Sequence, residues 1–148
     1  MVRNVRLTLY TDYSLRVLLY LGAKNNIELS TIQEIADAYT ISKNHLMKVT
    51  HQLGLLGLIE TVRGRGGGIR LAKEPSDINI GAVVRQTEED FHIVECFDVE
   101  NNLCKLSSQC RLKGVLYEAL QAYLAVLDRY TLADCLHEKK DLLALLRL

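Results

Sequence analysis

Two short amphipathic segments separated by only three residues constrain this 148-residue chain more than any other feature. The first opens at Ser30-Thr31-Ile32-Gln33, which has the form of a capping box: a hydroxyl for the N3 amide and a Gln side chain that reaches back. It continues with Ile32, Ile35, Ala36 and Tyr39 at helical spacing. Thr40-Ile41-Ser42 breaks the pattern, and a second helix follows with Leu46, Val49 and Leu53 on its inner face. Helices joined this tightly cannot run as one rod or stack antiparallel over their length, so they cross. This is the sequence form of a helix-turn-helix.

What comes next adds a hairpin. Gly54 and Gly57 stop the second helix, and Leu58 to Arg63, with Ile59, Thr61 and Val62, reads as a strand. Gly64-Arg65-Gly66-Gly67-Gly68 is a turn and Ile69-Arg70-Leu71 a return strand, which together make a wing. Before this unit, Thr11 or Asp12 is positioned to cap a helix carrying Leu15, Leu18, Leu19 and Gly22, and Lys24 to Glu28, with Asn25 and Asn26, reads as a loop. After it, Pro75 ends the module and Asn79 caps a further helix through Val83 and Val84. The expected fold is therefore mainly α with a small β wing. Residues 1–78 form a winged helix-turn-helix. Residues 79–148 hold an aperiodic loop (about 88–111), a long helix (about 112–130) and a C-terminal tail.

The long helix carries Leu112, Val115, Leu116, Ala119, Leu120, Tyr123, Leu124, Leu127 and Tyr130 in one i, i+3, i+4 stripe. At 1.5 Å per residue it is roughly 30 Å long. The first 75 residues already have enough apolar surface to close a small core, so this face calls for a second subunit. Leu116, Leu120, Tyr123, Leu124 and Leu127 are the expected dimer contacts.

Charge is balanced overall but not along the chain. Residues 1–73 hold 10 Lys and Arg against 5 Asp and Glu, and residues 74–148 hold 8 against 13. The basic half suits a polyanion. Within it, Ser42, Lys43, Asn44, His45 and Lys48 lie at the start of the second helix of the pair, the end that meets base edges in a major groove, with His51 one turn further on. Arg63, Arg65 and Arg70 surround the glycine turn and suit a narrow minor groove. A nucleotide-binding loop is disfavoured. The turn lacks a Gly-Lys-Ser/Thr ending, and Ile69 stands where the last glycine of G-x-G-x-x-G belongs.

The longest apolar run, Val17 to Leu21, is too short for a membrane span, and Arg16 and Lys24 flank it. A cytoplasmic protein is expected. His45, His51, His92 and His137 have no nucleophile and base arranged around them, so enzymatic chemistry is not expected.

Four cysteines in 148 residues are too few for a disulfide scaffold. Three of them, Cys96, Cys104 and Cys110, form C-x7-C-x5-C in polar, aperiodic chain, whereas Cys135, in an expected helix, reads as a structural thiol. Thiolates favour zinc, copper(I) or iron–sulfur clusters. Structural zinc prefers close C-x2-C pairs, and wide spacing suits a larger cluster, 2Fe–2S or 4Fe–4S. Zinc and a thiol redox switch remain open on spacing alone. So does the fourth ligand, for which His92, His137, a small molecule or a carboxylate from elsewhere would serve.

Three stretches carry a resemblance: Leu7-Thr8 with Tyr10-Thr11-Asp12-Tyr13-Ser14-Leu15-Arg16, the Ile41-Ser42 turn followed by Leu46, and Val62-Arg63-Gly64-Arg65-Gly66-Gly67-Gly68. Together with the cysteine triplet they resemble the Rrf-two family of bacterial winged-helix regulators, over essentially the whole chain. Asn79-Ile80-Gly81 and Ile93-Val94-Glu95-Cys96-Phe97 are most similar to its nitric-oxide-sensing branch in Gram-positive bacilli. The resemblance implies a homodimeric repressor on a palindromic DNA operator, with nitric oxide as the signal. It also implies a 4Fe–4S cluster on Cys96, Cys104 and Cys110, with Asp12 of the partner subunit as fourth ligand. The other functions it leaves open are regulation of iron–sulfur or cysteine homeostasis. Outside the family, a zinc or thiol-redox interaction protein is the alternative.

Overall fold

The computed structural model describes residues 5–24 and 28–147. The loop read at Asn25 and Asn26 lies outside them. Helix α1 (Leu9–Ala23) begins three residues earlier than the sequence suggests, with Thr8 as its cap and the Thr11 amide donating to the Thr8 hydroxyl at 3.3 Å. Thr11 and Asp12 are therefore inside the helix. Thr11 is fully buried, and its hydroxyl meets that of Thr87 at 2.9 Å, a tertiary partner that sequence spacing cannot reveal.

Helix α2 (Ile32–Tyr39) also corrects the expected cap by one residue. The box is formed by Thr31 and Glu34: the Glu34 amide donates to the Thr31 hydroxyl at 3.1 Å, and the Thr31 amide donates to Glu34 Oε2 at 2.7 Å. Ser30 is instead drawn into a short bridge with Ile69, where the two residues exchange backbone hydrogen bonds of 3.0 and 2.8 Å. Gln33 donates along the helix to Asp37. The turn after α2 is set by Thr40, whose φ of 55° is left-handed, a region that disfavours side chains with a branched Cβ. Two bonds hold it there: the Thr40 amide closes α2, and the Ile41 amide donates to the Ala36 carbonyl at 2.9 Å.

Helix α3 (Lys43–Leu55) buries Leu46, Val49, Thr50 and Leu53. It crosses both α1 and α2. Strands β1 (Ile59–Val62) and β2 (Gly68–Leu71) pair antiparallel, with Ile59 opposite Leu71 and Glu60 opposite Arg70. The turn between them needs glycine at Gly64 (φ 100°) and Gly66 (φ 75°).

One core joins these elements: Val17, Leu18 and Leu21 from α1, Ile35 from α2, Leu46, Val49 and Leu53 from α3, and Ile59, Ile69 and Leu71 from the wing. It does not stop at residue 78. Ile78, Val83 and Leu132 belong to the same cluster. Helix α4 (Ile80–Thr87) packs against α1, and so does the single turn at Ala133–Leu136. Helix α5 (Arg111–Asp128) is fastened to α4 at its far end. There Asn79 Nδ2 donates to the Asp128 carbonyl at 2.7 Å, and Arg85 grips the Asp128 carboxylate with both terminal guanidinium nitrogens. Gly81 lies so close to Asp128 that a Cβ there would meet the carboxylate and come within 2.9 Å of the Asp128 backbone nitrogen. A short helix α6 (Lys139–Leu145) returns to α1. No helix among the described residues is long and apolar enough to cross a membrane.

Candidate nucleic-acid interface and cysteine loop

The inner face of α3 is fixed by its four buried residues, so its outer face follows from helical geometry. Lys43, Asn44, Met47, Lys48 and His51 are exposed. Ser42 caps the helix, its hydroxyl accepting from the His45 amide at 3.4 Å. His45 differs from these in exposure. It is half-buried, and its ring meets Tyr13 of α1 edge to face at 4.8 Å. The contact couples α1 to the outward-facing end of α3.

The three wing arginines also divide. Arg63 and Arg65 are exposed at the turn and make no ion pair among the described residues. Arg70 is taken by Glu60 directly across the hairpin, which leaves less of its charge for a polyanion. Among the described residues, the wing's unpaired cations are the two at the tip.

Asp12 lies in the first turn of α1 and is engaged by Arg16 one turn on, at 3.0 and 3.1 Å. The Arg16 guanidinium also lies 5.5 Å from the Tyr13 ring and 5.9 Å from that of Tyr39. Tyr39 donates its hydroxyl to the Arg16 carbonyl at 2.8 Å, and burial pushes its pKa up to about 12. Asp12, Arg16, Tyr13 and His45 thus form a continuous chain of contacts from the start of α1 to α3. Sequence reasoning singled out Asp12 and His45 but missed Tyr13 and Arg16 as the residues between them. The i, i+4 spacing of Asp12 and Arg16 was the available signal.

The segment from 88 to 110 is built differently. Its start is tied down, with the Thr8 amide donating to Glu88 Oε1 at 2.7 Å. From there it runs through polar turns. Cys96 sits half-buried in a single turn at Glu95–Phe97, and Asp98 closes the next turn by accepting from Asn101 Nδ2 at 2.8 Å. That bond and the neighbouring backbone amides hold the Asp98 carboxyl below the usual carboxylate range. Cys104 is exposed in a second turn, its amide donating to Asn102 Oδ1 at 3.0 Å. Glu95 Oε2 accepts from the Leu103 amide at 3.3 Å and so joins the two turns. Cys110 is the N-cap residue of α5 and makes no side-chain capping bond.

All four cysteines are free. Among the described residues no three Cys, His, Asp or Glu side chains are gathered closely enough to hold a metal ion. The donor set nonetheless suits a soft metal or cluster: three unpaired thiols, exposed or half-buried, on one polar segment. His92 faces Asp90 and Asp98, at 3.7 and 4.0 Å. Cys135, expected as a core thiol in a helix, is exposed in the Ala133–Leu136 turn, and partial burial together with Asp134 raises its pKa. Both it and His137 lie outside the cysteine loop.

The stripe on α5 serves two purposes. Leu120 and Leu124 are buried within the subunit, on the helix that packs on α4. Leu116 and Leu127 are half-buried, whereas Leu112, Val115, Tyr123, Val126 and Tyr130 remain exposed on the described chain. Of the five residues expected at a dimer contact, Tyr123 is thus exposed, Leu116 and Leu127 are half-buried, and Leu120 and Leu124 are buried.

Comparison with known proteins fits this architecture. Residues 7–138 match the family model of Rrf2, described as an iron-dependent transcriptional regulator. An HTH-type transcriptional regulator, NsrR, of Bacillus subtilis (strain 168) is 62% identical over 144 residues, covering 97% of this chain and 99% of that one. The regulator of the same name from Geobacillus kaustophilus (strain HTA426) is 55% identical over 143 residues, covering 97% of each. Among solved structures, CymR, the global cysteine regulator of B. subtilis, superposes with a TM-score of 0.73 at 25% identity, over 89% of this chain and 96% of the other. IscR of T. potens gives 0.73 at 24% identity, over 91% and 88%, and shows the shared fold.

Proposed function

The chain belongs to the Rrf2 (Rrf-two) family of transcriptional regulators, and from that premise we propose that it is a homodimeric repressor whose hold on DNA is set by an iron–sulfur cluster sensitive to nitric oxide. It is a DNA-binding regulator rather than an enzyme. The observation that carries the cluster reading is the segment from 88 to 110, where three free thiols lie on chain with no buried residue. With polar turns alone to hold it, such a segment would gain further order from a group that joined its three thiols.

Cys96, Cys104 and Cys110 would hold a 4Fe–4S cluster, with Asp12 of a second copy completing the ligand set. When bound, the cluster supplies iron at which nitric oxide reacts. The chain itself transmits the state of the loop. Glu88 anchors the loop to the amide of Thr8 at the cap of α1. If Asp12 is drawn away from Arg16, then Arg16, Tyr13 and His45 carry the change to α3. Lys43, Asn44 and Lys48 would meet the bases of a palindromic operator, and Arg63 and Arg65 the adjoining minor groove. The outer face of α5 would supply the dimer contact.

The test is iron and sulfide per monomer in protein purified without oxygen, with operator binding measured before and after nitric oxide. Wild type should hold both elements and lose binding on exposure. Cys96→Ala, Cys104→Ala and Cys110→Ala should each lose the cluster, and Cys135→Ala should keep it. Zinc in place of iron and sulfide, or full cluster content in Cys104→Ala, contradicts the proposal.

A further inference from the structure

The outer face of α3 holds one residue that charge and polarity do not explain. Asn44, Met47, Lys48 and His51 stand at i, i+3, i+4 and i+7, so they form a single stripe opposite buried Leu46, Val49 and Leu53. Met47 is at the centre of that stripe, with 49% of its surface exposed. A scattered apolar residue on a surface needs no explanation. Met47 differs because its neighbours on both sides are donors suited to base edges, so any duplex that engages Asn44 and Lys48 must also cover Met47.

The chemistry of the groove narrows what can cover it. Base edges in the major groove present hydrogen-bonding groups and one apolar group, the C5-methyl of thymine. Methionine is unbranched and polarizable, and it adapts to irregular apolar surfaces. Leu55 is also exposed, but it ends α3 two turns beyond Met47, away from the end that reads bases. We propose that Met47 is a specificity-determining residue that packs on the C5-methyl of a thymine in each half-site of the bound duplex. The inference rests on α3 being the helix that enters the major groove, and it adds an apolar reading to the polar one made by Asn44 and Lys48.

Deoxyuridine tests it, because it differs from thymidine only by the missing methyl. Full-length protein purified without oxygen would select bound duplexes from a random-sequence pool. Each thymine of an enriched duplex is then replaced singly by deoxyuridine. Wild type should lose about four-fold in affinity at one thymine of each half-site, the effect of one methyl group no longer buried. At that position Met47→Ala should bind the two duplexes equally, and Met47→Leu should restore the preference. Met47 is exposed, so both variants should fold, with unchanged circular dichroism as the control. Equal binding of thymine and uracil duplexes by wild type at every position overturns the inference alone. So does an undiminished preference in Met47→Ala. A selection that enriches no duplex overturns the DNA reading of α3, and this inference with it.

Discussion

The helix-turn-helix with its wing and the segment from 88 to 119 are built on opposite principles. In the first, every element contributes to one core, and Val17, Leu18, Ile35, Leu46, Val49 and Leu53 have no exposed surface at all. In the second, no residue is buried. Val99, Leu103 and Leu106 stand in solvent beside the cysteines, and order comes from short polar turns around Asp98 and Asn102. A packed core holds its geometry whatever is bound, because its contacts are mutually supporting. A segment held only at its ends can change order at little cost. The chain therefore joins a rigid helix-turn-helix to a compliant cysteine segment, and the contact of Glu88 with Thr8 lies between them.

The comparison breaks if core and loop respond alike to truncation. Leu46→Ala should cost about 3 kcal/mol of unfolding free energy, because it opens a cavity among α1, α2 and α3. Leu103→Ala should change it by less than about 0.5 kcal/mol. Urea unfolding followed by circular dichroism reads both values, and a large loss in Leu103→Ala would place the loop in the folded core.

Two glycines sharpen the boundary where α5 meets the core. Gly81→Ala forces α4 away from Asp128 and should destabilise by about 2 kcal/mol. Gly114, inside α5, has open space around it, with nothing within 4 Å of where a Cβ would stand. Gly114→Ala should therefore stabilise by about 0.5–1 kcal/mol through helix propensity. Thermal unfolding of the two variants should shift in opposite directions.

The outer face of α5 should separate assembly from folding. Val115→Glu places a carboxylate on a half-exposed position, so the subunit should fold with near-normal stability. In a dimer the same carboxylate would be buried unpaired, a cost of several kcal/mol. Sedimentation should then show monomer where wild type shows dimer. A Val115→Glu dimer of unaltered affinity would remove this face from the interface.

The smallest effect concerns pH and the Tyr39–Arg16 contact. Tyr39 is a neutral donor whose folded pKa, about 12, lies above its ordinary value of 10.0. Its contribution is therefore complete below pH 10 and is lost as pH rises toward 12, because the unfolded chain ionises first. Unfolding free energy should decline over that interval, and Tyr39→Phe should flatten the decline. An identical slope in the variant would exclude Tyr39 as its source.

Local signals in the sequence carried most of the fold. The break at Thr40–Ser42, the glycine turn and the spacing of α5 are determined by residues close together in the chain, and all three appear where expected. The errors arose where a distant partner decided. Ser30 is drawn away from the α2 cap by Ile69, and Thr11, inside the helix that Thr8 caps, is met by the hydroxyl of Thr87. Leu120 and Leu124 lie buried on the helix that packs against α4, a burial that the spacing of the stripe alone does not show. In the candidate site, thiol spacing and the basic end of α3 were legible as residue types. The pairing of Arg70 with Glu60 and the edge-to-face contact of His45 with Tyr13 were not, because each depends on how two elements cross or pair.

Amide hydrogen exchange tests the central claim most directly, comparing protein that holds iron and sulfide with protein from which both have been removed. Amides from 88 to 110 should exchange freely in the stripped protein and become protected when the cluster is present. Those of α2 and of the buried face of α3 should be equally protected in both. Equal protection of the 88–110 segment in the two forms, or loss of protection throughout α1–α3 on stripping, would contradict a rigid helix-turn-helix governed by a ligand-ordered loop.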